Sequence, residues 1–234
     1  MQLDRWLFVR TRLLASVAVA LVFGLAIKSV AAPITAPTGL IAGDQYRLAF
    51  LTSATRTATS SNIADYNAFV TGVANAVPEL TALSTTWKAI ASTSGVFARD
   101  NTGTNPSVNG TGVPIYLLND TKLADTNLDL WDGTIDLPLN VSETGTVLLG
   151  LGSVWTGTST AGTNCGAYTL GSVNACVGRR ISTNSQWIYN GLNGSSGAYS
   201  MYALSASLTY VPEPGTALLL SLGLLSLSVH RRCK

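Results

Sequence analysis

Histidine is the residue whose scarcity says most about this chain. One occurs in 234 residues, His230, at the extreme C-terminus. Ser-His-Asp and Cys-His catalytic pairs are therefore excluded from the body of the chain, and so is a histidine-ligated zinc site. Charge is also scarce, at 11% of residues, and there is no basic run or basic-aromatic patch. That pattern argues against nucleic acid as a partner. No Gly-x-Ser-x-Gly elbow, phosphate loop or dinucleotide fingerprint is present, which removes the common nucleophile and nucleotide signatures.

What the chain does have is concentrated first at its two ends. Arg5, Arg10 and Arg12 precede an apolar run from Leu13 to Ile27, followed by the small residues Ser29, Ala31 and Ala32. This is the order of a secretory signal peptide. The run is shorter than the ~20 residues that span a bilayer, which favours a cleaved signal over an uncleaved anchor. Pro33 disfavours a cut after Ala32, so the cut is placed after Ala31 and residues 1–31 are the signal peptide.

The other end reads Val211-Pro212-Glu213-Pro214-Gly215, an apolar stretch over residues 216–229, then His230-Arg231-Arg232-Cys233-Lys234. As a transmembrane helix the stretch would cover about 20 Å, at ~1.5 Å per residue, which is short for a permanent span. The basic cluster behind it orients the preceding domain outward by the positive-inside rule. Pro212, Glu213 and Pro214, the short membrane segment and the terminal Arg231 and Arg232 resemble the PEP-CTERM sorting signal. The resemblance covers residues 211–234 only. It implies recognition by an exosortase at the inner membrane of a Gram-negative bacterium and removal of the tail. Delivery to the cell envelope or an exopolysaccharide matrix would follow. The implied partners are the export machinery and exosortase, the inner membrane transiently, and exopolysaccharide. An ordinary tail anchor would not need Pro-Glu-Pro.

Between the ends, residues 32–211 carry seven basic and ten acidic side chains, a net charge of −3. This is enough chain for one compact core, with a Pro/Gly/Ala-rich lead-in at 32–45 and an ectodomain at 46–210. Thr, Ser, Gly, Asn and Ala dominate, giving a neutral hydrogen-bonding surface of the kind found among polysaccharides. Cys165 and Cys176 are the only cysteines of this region. In an oxidising compartment they are expected to pair.

Tyr46 to Thr52 reads as a strand. A helix follows over Ser61 to Val77, with Ile63, Tyr66, Phe69, Val70, Val73 and Val77 on one face. Asn62 and Asp65 suggest an N-terminal cap, and Pro78 a stop. Trp87–Ser92, Val113–Leu118, Thr146–Thr156 and Met201–Tyr210 read as strands, with residues 99–112 a loop. One early helix and later strands separated by long polar loops define an α+β class.

Tyr46-Arg47-Leu48-Ala49-Phe50-Leu51-Thr52, Ile63-Ala64-Asp65, Trp87-Lys88-Ala89-Ile90, Val154-Trp155-Thr156-Gly157-Thr158 and Trp187-Ile188 resemble a bacterial extracellular branch of the C-type-lectin-like fold. The resemblance implies a single lectin-like ectodomain. That fold usually pins its first helix to its last strand by a disulfide, whereas here the positions hold Asn67 or Phe69 and Ala203. The Glu-Pro-Asn and Trp-Asn-Asp motifs of sugar-binding lectins are absent as well, so sugar binding does not follow from the fold.

Chemistry has one concentrated candidate, the acidic segment Asp120 to Asp136. Asp125, Asn127, Asp129 and Asp136 fall at positions 1, 3, 5 and 12 of a calcium-loop spacing, with Asp132 between them. Leu130 stands where such a loop needs glycine, and Asp136 is shorter than the usual bidentate Glu. A solvated acidic loop is the first reading, and a calcium site of another geometry the alternative. No other cofactor is implied. Trp131, between Leu130 and Asp132, is the best candidate for an exposed ligand-binding ring, although a packed ring is the first reading even there, while Trp87 and Trp155 are expected in the core. Arg179-Arg180 reads as a solvated turn. The expectation is a non-enzymatic surface or matrix protein with a structural, adhesive or glycan-binding ectodomain. A carboxylate-based extracellular glycan hydrolase is the alternative, because two suitably spaced acids suffice for that chemistry.

Overall fold

The computed structural model describes residues 32–212. The signal segment 1–31, the apolar stretch 216–229 and the motif residues Glu213, Pro214, Arg231 and Arg232 lie outside the described residues. The strands are β1 (Gln45–Leu51), β2 (Trp87–Ala89), β3 (Ile115–Leu117), β4 (Lys122–Ala124) and β5 (Ser153–Trp155). They continue with β6 (Asn174–Arg179), β7 (Gly191–Gly194), β8 (Ser200–Ser205) and β9 (Leu208–Thr209). The helices are α1 (Ile63–Asn75), α2 (Pro78–Ala82), α3 (Ala98–Asn101), α4 (Pro106–Asn109) and α5 (Asn127–Leu130), with a 3₁₀ turn at Ser185–Trp187.

All strands join one mixed sheet, so the molecule is a sheet-rich α+β structure with few helices. Its centre is β1 beside β8, antiparallel through Ala49↔Leu204, Phe50↔Ala203 and Leu51↔Tyr202. Every residue of β8 is buried, as are Leu48 to Leu51 of β1. Strands covered on both faces read as continuous apolar runs rather than as alternation. On the far side of β1 lie β3, parallel, and then β4. On the far side of β8 lie β2 and, parallel to it, β5, which leads to β6 and β7. The last strand, β9, returns to pair with the start of β1.

The helix α1 packs against β2 through Tyr66, Val70 and Ala74, one stripe at four-residue spacing. Asn62 caps it by accepting from the Ala64 amide at 3.1 Å. Asp65 does not close a reciprocal box with Asn62. It accepts from Ser60 Oγ, which itself accepts from the Asn62 amide. Asn67 and Asn101 then satisfy the free side of β2: the Ala89 amide donates to Asn67 Oδ1 at 2.9 Å, and Asn101 Nδ2 donates to the Ala89 carbonyl at 2.7 Å. Two side-chain amides thus replace a neighbouring strand, which keeps this backbone paired.

Several segments differ from the sequence expectation. Pro78 does not end helical structure but starts α2 at its first position, where the missing N–H costs nothing. Residues 99–112, expected as loop, hold most of α3 and all of α4. The expected strand over 146–156 shrinks to β5, and Leu149 and Leu151 upstream of it are exposed. The strands β4, β6 and β7 occupy segments that read as polar loop. Their short sequences carry too few bulky residues to show a period of two. Among the described residues, no helix is long and apolar enough to cross a membrane.

Three tryptophans, Trp87, Trp155 and Trp187, are fully buried with Tyr66, Tyr202 and Phe50. Trp87 meets Phe50 edge-on at 5.0 Å. The Trp155 indole N–H, at the end of β5, donates to the Arg56 carbonyl at 3.0 Å.

Candidate functional site

The acidic segment is folded rather than extended. Leaving β4, the chain turns at Asp125 into α5, whose N-cap Thr126 accepts from the Asp129 amide at 3.1 Å. Asp129 Oδ2 reaches back to accept from the Asp125 amide at 2.6 Å, so carboxylate and cap hold the turn from both ends. Asp136 returns alongside, its amide donating to the Leu123 carbonyl at 3.0 Å. Asp125, Asp129 and Asp136 each bring an oxygen to a common place, all within 4.8 Å of one another. Lys122 joins them, with Nζ 2.5 Å from Asp125 Oδ1.

This crowding shows in the titration of the group. Partial burial raises the Asp136 carboxyl above the usual range, and the negative charge of Asp129 raises it further, while Lys122 opposes both. The hydrogen bond to Asp125 holds the Lys122 ammonium above its ordinary value. Three oxygen donors of this kind suit a hard divalent cation. Here Lys122 already supplies a positive charge to the cluster.

Two of the five candidate ligands in the acidic segment are used elsewhere. Asn127 is buried, and its Nδ2 donates to the Gly110 carbonyl at 3.0 Å, because α5 rotates it inward against Gly112. Asp132 Oδ1 accepts from both the amide and the hydroxyl of Thr134, at 2.9 Å each, and closes its own turn. A linear ladder of ligands at positions 1, 3, 5 and 12 is therefore not what the backbone builds. Lys122 was missed by the sequence reading. Its position three residues before Asp125 was the available signal.

Trp131 is not an exposed ring. It is 6% exposed, and its indole N–H donates to Thr104 Oγ1 at 2.9 Å. The ring lies 5.9 Å from Trp187 and against the backbone of Gly162, where a Cβ would come within 2.7 Å of it. The partner that buries it stands 27 residues earlier in sequence. Arg180 likewise is not a solvated turn residue. Its guanidinium donates to the Gly150 carbonyl at 3.1 Å and the Leu149 carbonyl at 2.6 Å, pinning the irregular approach to β5.

Cys165 and Cys176 form a disulfide, with Cα atoms 6.6 Å apart, tying the segment after β5 to β6. Where β9 meets the start of β1, the last backbone bonds among the described residues lie around Tyr210. That amide donates to the Asp44 carbonyl at 2.7 Å, and the Gly43 amide donates to the Tyr210 carbonyl at 3.0 Å. Val211, next in line, is 75% exposed, and Pro212 is exposed too. The chain thus leaves the sheet where the Pro-Glu-Pro sequence begins.

No curated protein matches the chain. Residues 211–232 match the PEP-CTERM protein-sorting motif, which marks a protein that is exported and processed at the membrane by an exosortase.

Proposed function

We propose that the exported domain is a structural or adhesive component of the cell envelope or extracellular matrix, without enzymatic activity, that associates with glycan through an uncharged surface. The sorting motif directly after β9 carries the reading, because it commits the domain to the outside of the cell. The second half of the domain supports it by exposing hydroxyl and amide side chains with few charges. We read the architecture as C-type-lectin-like, on the adjacency of β1 and β8, the helix following β1 and the Trp155-Thr156-Gly157 segment at β5. In this reading Asn67 takes over from the missing disulfide by binding β2.

The hydrolase alternative has one observation in its favour, the raised Asp136 carboxyl close to Asp129.

The test replaces Pro212, Glu213 and Pro214 by alanine in a host with an exosortase. The expected result is accumulation of unprocessed chain in the membrane fraction and its loss from the matrix. Wild-type protein is expected to bind the host's exopolysaccharide saturably without releasing reducing sugar. Normal delivery of the triple variant, or sugar release lost in Asp136→Asn, would overturn the corresponding half of the reading.

A further inference from the structure

Beside the disulfide lies an open cavity of ≈ 400 Å³ lined by Ser159, Thr160, Asn164, Cys165, Gly166 and Tyr189. Its frame is well tied down. The Thr158↔Asn164 bridge closes a tight turn, with the Ser159 amide donating to the Thr163 carbonyl at 2.8 Å. The Cys165 amide donates to the Gly157 carbonyl at 3.2 Å, and the disulfide fastens the same residue to buried Cys176 on β6. Tyr189 follows the 3₁₀ turn, with its amide held by the Ser185 carbonyl at 3.1 Å and its side chain 45% exposed.

The lining has a distinct chemistry. It holds no carboxylate, ammonium or guanidinium, so a charged ligand would lose hydration without a countercharge. A wholly apolar ligand would leave the Asn164 amide and the Thr160 hydroxyl without partners. Only Ser159 Oγ is already engaged, by Thr163 Oγ1 at 2.7 Å. The Asn164 amide and the Thr160 and Tyr189 hydroxyls make no hydrogen bond to another described residue. An aromatic face next to amide and hydroxyl groups suits a molecule with a C–H face and a rim of hydroxyls. The volume lies within the roughly 300–1,000 Å³ range of small-molecule sites.

We infer that this cavity is the saccharide-binding site, taking an uncharged pyranose unit that stacks on Tyr189 and hydrogen-bonds to Asn164 and Thr160. The assignment rests on the glycan-binding reading above and specifies its ligand class and place. It uses no metal, and its lining shares no residue with the Asp125, Asp129 and Asp136 cluster.

The experiment titrates the full chain in detergent micelles with maltotetraose, cellotetraose and mannotetraose, and with a tetrauronate, by calorimetry in EDTA. The expected result is saturable binding of at least one neutral tetrasaccharide and at least tenfold weaker binding of the uronate. Tyr189→Ala and Asn164→Ala should each weaken neutral binding about tenfold at unchanged Tm. Should either alanine variant misfold, Tyr189→Leu and Asn164→Leu decide the matter, since each leaves an apolar side chain in place and removes only the ring or the amide. Neutral binding indifferent to both positions would overturn the site while leaving glycan binding intact. Exopolysaccharide binding without any tetrasaccharide binding would also overturn the site. Loss of both would overturn site and glycan reading together.

Discussion

Gly178 on β6 lies directly under the peptide of Trp187, so close that a Cβ would overlap the Trp187 carbonyl oxygen and sit 2.8 Å from the carbonyl carbon. That carbonyl accepts the Tyr202 hydroxyl at 3.1 Å. Tyr202 is fully buried on β8, and burial holds its phenol protonated well above the ordinary range. One missing methyl group therefore lets the 3₁₀ turn approach the sheet and satisfies a buried hydroxyl. Gly178→Ala should remove about 3 kcal/mol of stability, or roughly 6–12 °C of Tm. Gly194→Ala on exposed β7, where a Cβ meets only Asn174 Oδ1 at 4.0 Å, should stay within about 0.5 kcal/mol. Equal Tm values for the two variants would contradict the packing described.

Trp131 and Thr104 make the second prediction. Thr104→Val keeps the shape of the side chain and leaves the indole N–H without its acceptor, at a cost of about 1–3 kcal/mol. Trp131→Ala should cost about 3–5 kcal/mol through lost burial. Measured well below Tm, both variants should bind exopolysaccharide like wild type. An unchanged Tm with abolished binding in Trp131→Ala would restore Trp131 as a candidate exposed ring.

The disulfide gives a third. Its short loop should contribute roughly 2–3 kcal/mol on the chain-entropy model. The double change Cys165→Ala and Cys176→Ala should lower the denaturation midpoint accordingly, with dithiothreitol having no further effect on it. Because Cys165 lines the cavity, saccharide affinity should fall more than the affinity for the host polysaccharide measured at other contacts. A midpoint unchanged by the double substitution would mean that the loop is held by its hydrogen bonds alone.

What could be read from sequence follows from how far each signal reaches along the chain. The stripe Tyr66, Val70 and its cap Asn62 are local, so α1 was legible nearly to its ends. The run Tyr46 to Leu51 was legible as β1 because a strand buried on both faces is apolar throughout. Cys165 and Cys176 were paired by chemistry alone. Trp131 is packed, the first of its two sequence readings, but its partner was not legible, because Thr104 belongs to a segment whose two single-turn helices have no periodic signal. The acidic residues were visible as a cluster, but α5 decides which of them converge. A four-residue helix capped by Thr126 turns Asn127 inward and leaves Asp129 facing Asp136. The cavity at Tyr189 was not legible because Ser159 to Gly166 and Tyr189 meet only through the sheet.

The carboxylate cluster yields the last prediction. The Asp136 carboxyl is raised in the folded state by burial first and by Asp129 second. The folded form therefore holds its proton to higher pH than the unfolded form does. Ionised Asp136 opposes folding above its folded value, and this cost shrinks as pH falls through that value. It vanishes below the unfolded value. Asp136→Asn should thus stabilise the protein at neutral pH, with the gain fading in acid. The burial is slight and most of the side chain is exposed, so solvent screening limits the gain to about a few tenths of a kcal/mol. Lys122 offsets the same repulsion, so Lys122→Met should lower Tm at low salt, and Asp136→Asn should restore it in the double variant. With the native lysine in place, millimolar calcium or EDTA should leave Tm unchanged. A calcium-dependent rise in wild type that disappears in Asp136→Asn would show instead that the three carboxylates hold a cation and that Lys122 gives way to it.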